Sequence, residues 1–230
     1  ADADVDGDAD GDIDAELDNT SCDDINSGAV FCSGFELSTL GDWEGRTSAS
    51  GGSVEWSGAS PYRGVGNLHV AATAGMSRGE IAYDMAAPVS SGSVYMRFYT
   101  FVGPTAISHQ LDAFSLISLA SPSQGIFLRL RPTNTTLRLA AGTTIDSLAS
   151  ADIPRNRWVC VQVGVTIGAS GSISLAFDEV EVVRETGIDT RVSTGYLRMN
   201  VGIVSSSTTN TSGELRYDEV VLDDAPIPCD

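Results

Sequence analysis

Residues Arg157–Arg184 read RWVCVQVGVTIGASGSISLAFDEVEVVR, and this stretch decides the fold. Val159, Val161, Val163 and Val165 alternate with Trp158, Cys160, Gln162 and Gly164. A period of two marks a strand with one apolar face. Gly168–Gly171 supplies a bend, after which Ile173, Leu175 and Phe177 alternate with Ser172, Ser174 and Ala176. Asp178-Glu179 reads as a tight turn into a third strand, Val180–Val183. Such a meander cannot bury its valine face by itself, so a second sheet must pack on it.

Working outward, the pattern repeats along the chain. Strands are expected at Ala29–Leu37, Val54–Ser57, Asn67–Ala72, Glu80–Met85 and Gly92–Val102. Others are expected at Leu111–Leu119, Gly125–Arg131, Leu137–Ala140, Gly195–Val204 and Gly213–Leu222. Pro, Gly, Ser or Asn bounds most of them, and no segment holds helical periodicity over about twelve residues. Residues 39–52 read as a turn, with Trp43 tucked against the body. The expectation is an all-β protein: an antiparallel two-sheet β-sandwich over 25–230, preceded by an acidic tail at 1–24.

Charge separates those two parts. The 230 residues carry a net charge of −18, and residues 1–24 hold eleven acidic side chains and no basic one. The body is left at about −7, and all thirteen of its cations are arginine. An acidic chain lacks the basic footprint of non-specific nucleic-acid binding. No run of about 18 apolar residues is present to form a transmembrane helix. No secretory leader pattern opens the sequence, which fits numbering from a mature end.

The tail, ADADVDGDADGDIDAELDNTSCDD, admits two readings. As a low-complexity acidic run it is a solvated linker that could tether the domain to a surface. Yet Asp6, Asp8, Asp10, Gly11 and Ile13 match the opening of an EF-hand-like calcium loop. There, alternate carboxylates surround one cation and glycine permits the turn. The match fails at its twelfth position, which is Leu17. The run also resembles the aspartate-rich repeats of thrombospondin type 3 modules.

Four cysteines, Cys22, Cys32, Cys160 and Cys229, allow three pairings and show no zinc-site spacing. Buried free thiols would suit a cytosolic protein. An even count in a β-protein suggests an oxidising compartment, hence a secreted or cell-surface location. The expected bridges are Cys22–Cys32, closing a short loop at the domain entry, and Cys160–Cys229, tying the C-terminus to the central meander. Sequons at Asn19, Asn134 and Asn210 decide nothing in a chain this rich in Ser and Thr.

Four stretches carry a family resemblance: FCSGFELSTLGDW (31–43), VYMRFYTFV (94–102), RWVCVQVGV…GSISLAFDEVEV (157–182) and GELRYDEVVLDD (213–224). Together they resemble the concanavalin A-like lectin/glucanase (laminin-G-like) jelly roll, over residues 29–224. The chain departs from that family at Glu179, where the family's turn usually carries glycine. The resemblance implies that first and last strands lie together, bringing Glu36 near Asp218. It also implies a structural calcium there, with Asp218 as ligand. A salt bridge or turn hydrogen bond is the plain alternative for Asp218.

Catalytic signatures are sparse. Glucanases of this fold carry E-x-D-x-x-E on one strand face. The nearest stretch, Glu179-Val180-Glu181-Val182-Val183-Arg184, ends on arginine and begins in a turn. Polysaccharide lyases of the fold neutralise a uronate carboxylate and move a proton with Tyr or His. Arg97, Tyr99, His109, Gln110 and Tyr196 are the residues such a mechanism would draw on, although the order His109-Gln110 departs from the lyase pattern Q-I-H. His109 and His69 also read as locally hydrogen-bonded residues.

Alternation points to binding instead. It turns Tyr95, Arg97 and Tyr99 away from the core, and likewise Arg129, Arg131, Arg138, Gln162, Tyr196 and Arg198. If they share one face, they form an arginine- and aromatic-lined groove. Guanidinium forks pair with carboxylate or sulfate, and rings stack on sugars. Alternatively the arginines pair with Glu80, Asp84 and Asp112, or are divided between the sheets. The expected function is non-catalytic carbohydrate binding or adhesion, toward an acidic polysaccharide. The alternatives are a β-eliminating lyase and a purely structural surface domain.

Overall fold

The computed structural model describes residues 29–229 apart from 39, 41–42, 50, 74–76, 104–109, 142 and 207–212. Fifteen strands occur among the described residues. They run β1 (Phe31–Ser33), β2 (Gly45–Ala49), β3 (Gly52–Ser57), β4 (Asn67–Ala72), β5 (Arg78–Val89), β6 (Gly92–Val102), β7 (Leu111–Ile117) and β8 (Gly125–Leu130). Then follow β9 (Thr135–Ala141), β10 (Thr143–Leu148), β11 (Trp158–Ile167), β12 (Gly171–Phe177), β13 (Val180–Ile188), β14 (Tyr196–Ser206) and β15 (Gly213–Asp223). No helix long and apolar enough to cross a membrane is found among the described residues.

The strands form two antiparallel sheets. The eight-stranded sheet runs β13-β12-β11-β6-β15-β4-β3, with β1 on β15; the seven-stranded sheet runs β10-β9-β8-β7-β14-β5-β2. The meander expected from the valine pattern is β11-β12-β13. Its valines 159, 161, 163 and 165 are at most 1% exposed. They join Val94, Met96 and Phe98 of β6 in a core shared with Phe114, Leu116, Met199, Val201 and Ile203 of the opposite sheet. Apolar area removed from water in this way is the main favourable term in folding.

Three elements differ from the sequence expectation. Gly45–Ala49 is a strand, β2, paired with β5 at the edge, where a turn was expected. Its composition, GRTSA, has no apolar face because an edge strand need not bury one. Thr143–Leu148 is a strand, β10, paired with β9 at the other edge of the seven-stranded sheet, where none was expected. The strand expected over Ala29–Leu37 holds only from Phe31 to Ser33, because Phe35 adopts φ 59° and turns the chain out of the ladder. Trp43 is tucked in as expected, edge-on to Phe31 at 4.9 Å and donating to Ser33 Oγ at 3.1 Å.

Cys160 and Cys229 are joined by a disulfide, closing a 69-residue separation and fixing the C-terminal segment across the outer face of β11. Gln162 Nε2 donates to the Ile227 carbonyl at 2.6 Å alongside it. Cys32 is also disulfide-bonded; Cys22, its expected partner, lies outside the described residues.

Replacing Cys160 and Cys229 together by serine should lower unfolding free energy by about 2–4 kcal/mol. Urea denaturation would show this as a lower midpoint with little change in slope. An unchanged midpoint would show that the bridge contributes nothing to stability.

Candidate functional site

The register assigns each outward side chain of the seven-stranded sheet to a row. One row crosses it through Asp146, Arg138, Phe127, Ser115, Asn200 and Ala82, each paired with the next across the ladder. A second contains Thr136, Arg129 and Asp112; a third contains Ile117, Arg198 and Asp84. The face is polar because its inner partners, Leu128, Phe114, Met199 and Ile81, take the alternate positions.

A cleft of about 460 Å³ lies on this face. Arg78, Arg129 and Arg138 line it together with Asp112, Ser115, Phe127 and Asn200, and the Pro122-Ser123 turn forms one wall. Arg129 is pinned by Asp112, with Nε to Oδ1 at 2.8 Å and Nη2 to Oδ2 at 3.3 Å, and its Nη1 is 3.6 Å from Asp146. Arg78 pairs with buried Glu80. Burial pushes the Glu80 carboxyl upward in pKa, against the pull of the Arg78 hydrogen bond. Asn200 Nδ2 donates to Ser115 Oγ at 2.8 Å. Arg138 differs from its neighbours. It makes no ion pair among the described residues, and its Nε is buried with no hydrogen-bond partner there. Phe127 is half-buried beside it on the adjacent strand.

The expected ligand residues do not share one face. Arg129, Arg138 and Arg198 lie on the seven-stranded sheet, and Arg131 follows β8 at its rim, where Gln110 Oε1 accepts from its Nε and Nη2 at 3.1 Å. Tyr95, Arg97, Tyr99 and Gln162 belong to β6 and β11 of the other sheet. There Arg97 is fully buried, and Tyr99 lies beneath Tyr62 with ring centroids 3.6 Å apart. Tyr95 lines a separate hollow bounded by Pro226 and Ile227. Arg198 is chelated by Asp84, Nε to Oδ1 at 2.5 Å and Nη2 to Oδ2 at 2.6 Å. This pair holds Asp84 below the usual carboxylate range. The pairings of arginine with Asp84, Asp112 and Glu80 weighed from sequence are therefore present.

Tyr196 corrects an expectation: it faces the core rather than solvent, is fully buried, and donates its hydroxyl to the Thr190 carbonyl at 2.7 Å. A register shift between Tyr196 and Arg198 breaks the alternation on which the outward reading rested. Burial raises its phenol far above its ordinary pKa. No Tyr or His is among the described residues lining the cleft; His109 lies outside them.

Arg78, Ser115 and Phe127 were not singled out by sequence. The signal for Phe127 was available: it is the aromatic outward residue between Ile126 and Leu128.

Glu36 and Asp218, the pair the resemblance singles out, each hold the loop Tyr62–Val65. Asp218 Oδ2 accepts the Tyr62 and Arg63 amides at 2.8 and 3.1 Å, and Oδ1 accepts the Glu219 amide at 2.9 Å. Glu36 Oε2 accepts the Val65 amide at 2.7 Å, and Oε1 is buried without a hydrogen-bond partner among the described residues. Gly64, at φ 59°, closes the loop: a Cβ there would fall 2.1 Å from Glu36 Oε1. Burial raises the pKa of both carboxyls, and the charge of Glu219, itself buried and at φ 51°, adds to the rise. No group of three or more His, Cys, Asp or Glu side chains able to hold a metal is found among the described residues. A cation here would take Glu36 Oε1 and the remaining lone pairs of Asp218, with main-chain oxygens and water completing its shell. Asp6, Asp8 and Asp10 lie outside the described residues.

No protein-family model matches this sequence. No curated protein is detectably similar to it. Solved structures are similar in fold. An endo-β-1,4-glucuronan lyase from the fungus Trichoderma reesei superposes with TM-score 0.69 at 13% identity, covering 85% of this chain and 95% of that one. The chain is a jelly-roll β-sandwich. The cellulose-induced protein Cip1 gives 0.65 at 12% identity, over 87% of this chain and 100% of its own. A botulinum neurotoxin type C structure, described as entering cells through two ganglioside molecules, gives 0.61 at 12% identity over 88% of this chain. This chain spans about half of that toxin chain, 49%.

Burial pushes the Asp218 carboxyl up to about 8, aided by Glu219 and opposed by the loop amides. A raised folded-state pKa means the folded state binds the extra proton, so stability declines as pH rises from about 4 to about 8. In chelator, the melting temperature should fall across that window, and Asp218→Asn should flatten the decline. An equally steep decline in the variant would assign the effect elsewhere.

Proposed function

We propose that this domain binds an acidic polysaccharide, without cleaving it, in the cleft on the seven-stranded sheet. The observation that carries the reading is Arg138: a guanidinium with an unspent, buried Nε, lining a cleft beside a half-buried phenylalanine. Its neighbours Arg78, Arg129 and Arg198 are each held by a carboxylate, so Arg138 is the cation left to pair with a uronate or sulfate. Phe127 offers a face for a sugar ring, and Asn200 and Ser115 offer hydroxyl partners. The likeness in fold to a glucuronan lyase and to a ganglioside-binding toxin is compatible with this reading. A lyase would need a proton acceptor, and none of the described cleft residues is a Tyr or His. The disulfide suits a secreted or cell-surface setting, with the acidic tail as tether.

Calorimetric titration with alginate, pectate and a sulfated glycan should give saturable binding to at least one. Arg138→Ala should weaken it at least ten-fold, about 1.4 kcal/mol. Absorbance at 235 nm should stay flat. Equal binding by the variant, or no binding by the parent, overturns the assignment, and rising absorbance replaces it with β-elimination.

We further propose that calcium is held between Glu36 and Asp218 as a structural ion. Support comes from the orphaned Glu36 oxygen and from two residues, Phe35 and Glu219, in left-handed backbone beside it. Calcium should then raise the melting temperature by linkage. Asp218→Asn should abolish the gain and deletion of residues 1–20 should preserve it; identical melting in chelator and excess calcium would eliminate the site.

A further inference from the structure

The eight-stranded sheet carries a second hollow, of about 230 Å³, on the side of the molecule opposite the cleft. Its walls are Tyr62, Trp158, Asp178, Glu179 and the Cys160–Cys229 bridge. Trp158 opens β11 and is half-buried. Its ring meets Tyr62 at 6.1 Å and 62°, so the two form an aromatic corner. Tyr62 lies on Tyr99 at 14°, and the Arg63 guanidinium lies over the Tyr62 ring, 5.5 Å from its centroid. Its main chain is fixed by Asp218, which accepts the Tyr62 amide at 2.8 Å. The aromatic surface is therefore held in place before any ligand arrives, and a pre-organised site loses less entropy on binding.

Across the hollow stand two exposed carboxylates in the β12–β13 turn. Asp178 Oδ1 accepts the Cys160 amide at 3.0 Å, and Oδ2 pairs with Arg157 at 2.6 Å. Glu179 Oε1 accepts the Cys229 amide at 3.2 Å. Both turn residues adopt positive φ, 47° and 67°. A two-residue turn of this kind favours glycine at its second position. A glutamate held there keeps a carboxylate at the rim in spite of backbone strain, and such strain clusters at binding sites.

We propose that this hollow is a second carbohydrate site, selective for a neutral hexose or pentose unit. Aromatic rings stack on the apolar face of a sugar, and carboxylate oxygens accept its hydroxyl hydrogens. The Arg157–Asp178 pair adds donors at the same edge. The Asp178 and Glu179 charges repel a uronate, so the two faces select opposite sugar chemistries. A mixed polymer of neutral and acidic units, or two separate chains, would engage both. The site does not depend on the cleft's acting as proposed.

The test is titration of the ¹⁵N-labelled protein with cellohexaose, mannohexaose and xylohexaose. At least one should move the Trp158 indole and Glu179 amide signals saturably. Trp158→Ala should weaken that binding at least ten-fold. Glu179→Gly, which removes the carboxylate and suits the turn's backbone, should fold and weaken it comparably. Saturating alginate hexamer should leave the neutral titration unchanged. The proposal is overturned if none of the three sugars shifts these signals, if both variants titrate like the parent, or if shifts are confined to Phe127 and Asn200 in the cleft.

Discussion

Everything in this molecule depends on the contact between the inner faces of its two sheets. Phe98, at the middle of β6, meets Phe114 of the opposite sheet at 5.4 Å and Tyr217 at 5.7 Å. Tyr217 is fully buried and donates its hydroxyl across the sandwich to the Ala113 carbonyl at 2.6 Å. A buried phenol needs such a partner, and here the partner belongs to the other sheet. One residue thus seals apolar area and fixes how the sheets sit on each other. Burial raises its hydroxyl pKa far beyond the ordinary range, so it remains a donor.

That inner constraint hands the alternate positions of every strand to the outside, where the chain places most of its arginines. On the seven-stranded sheet three of them are met by carboxylates: Arg129 by Asp112 and Arg198 by Asp84 of adjacent strands, and Arg78 by Glu80 of its own strand. Close ion pairs on a partly buried sheet face add little net stability, because desolvation offsets much of the attraction. Their effect is to fix side chains in place. The cleft is consequently a polar surface on which, among the described residues, Arg138 alone of the lining arginines has no carboxylate partner.

The other sheet is finished differently. The C-terminal segment is stapled to β11 by Cys160–Cys229, and the loop carrying Tyr62 stacks on Tyr99 of β6, beside fully buried Arg97. What remains open there is an aromatic corner with acidic edges rather than an arginine row. The same loop is clamped by Glu36 and Asp218 through the amides of Tyr62, Arg63 and Val65. The carboxylate pocket and the aromatic corner are thus two sides of one loop.

Most strands and their inner faces, though not the edge strands β2 and β10, were legible in the sequence, because period-two alternation is a local property of the chain. The run Val159–Val165, the core residues of β6 and β8, and the turn at Asp178-Glu179 all follow from it. The Cys160–Cys229 pairing, a separate expectation, is present as well. Alternation says only that a side chain leaves the core, not which sheet it leaves from or what lies over it. Arg97 and Arg198 obey the same pattern, yet one is fully buried in the eight-stranded sheet, 3.9 Å from Glu219, and the other lies on the seven-stranded sheet. Tyr196 obeys it in sequence and breaks it in space, since one irregularity in the β14 ladder turns the ring inward. The order of strands in each sheet and the path of the covering segments come from contacts between residues far apart in the chain. For that reason only the tertiary structure could divide the arginines, leave Arg138 as the cleft arginine without a carboxylate among the described residues, and bring Tyr62 to Trp158.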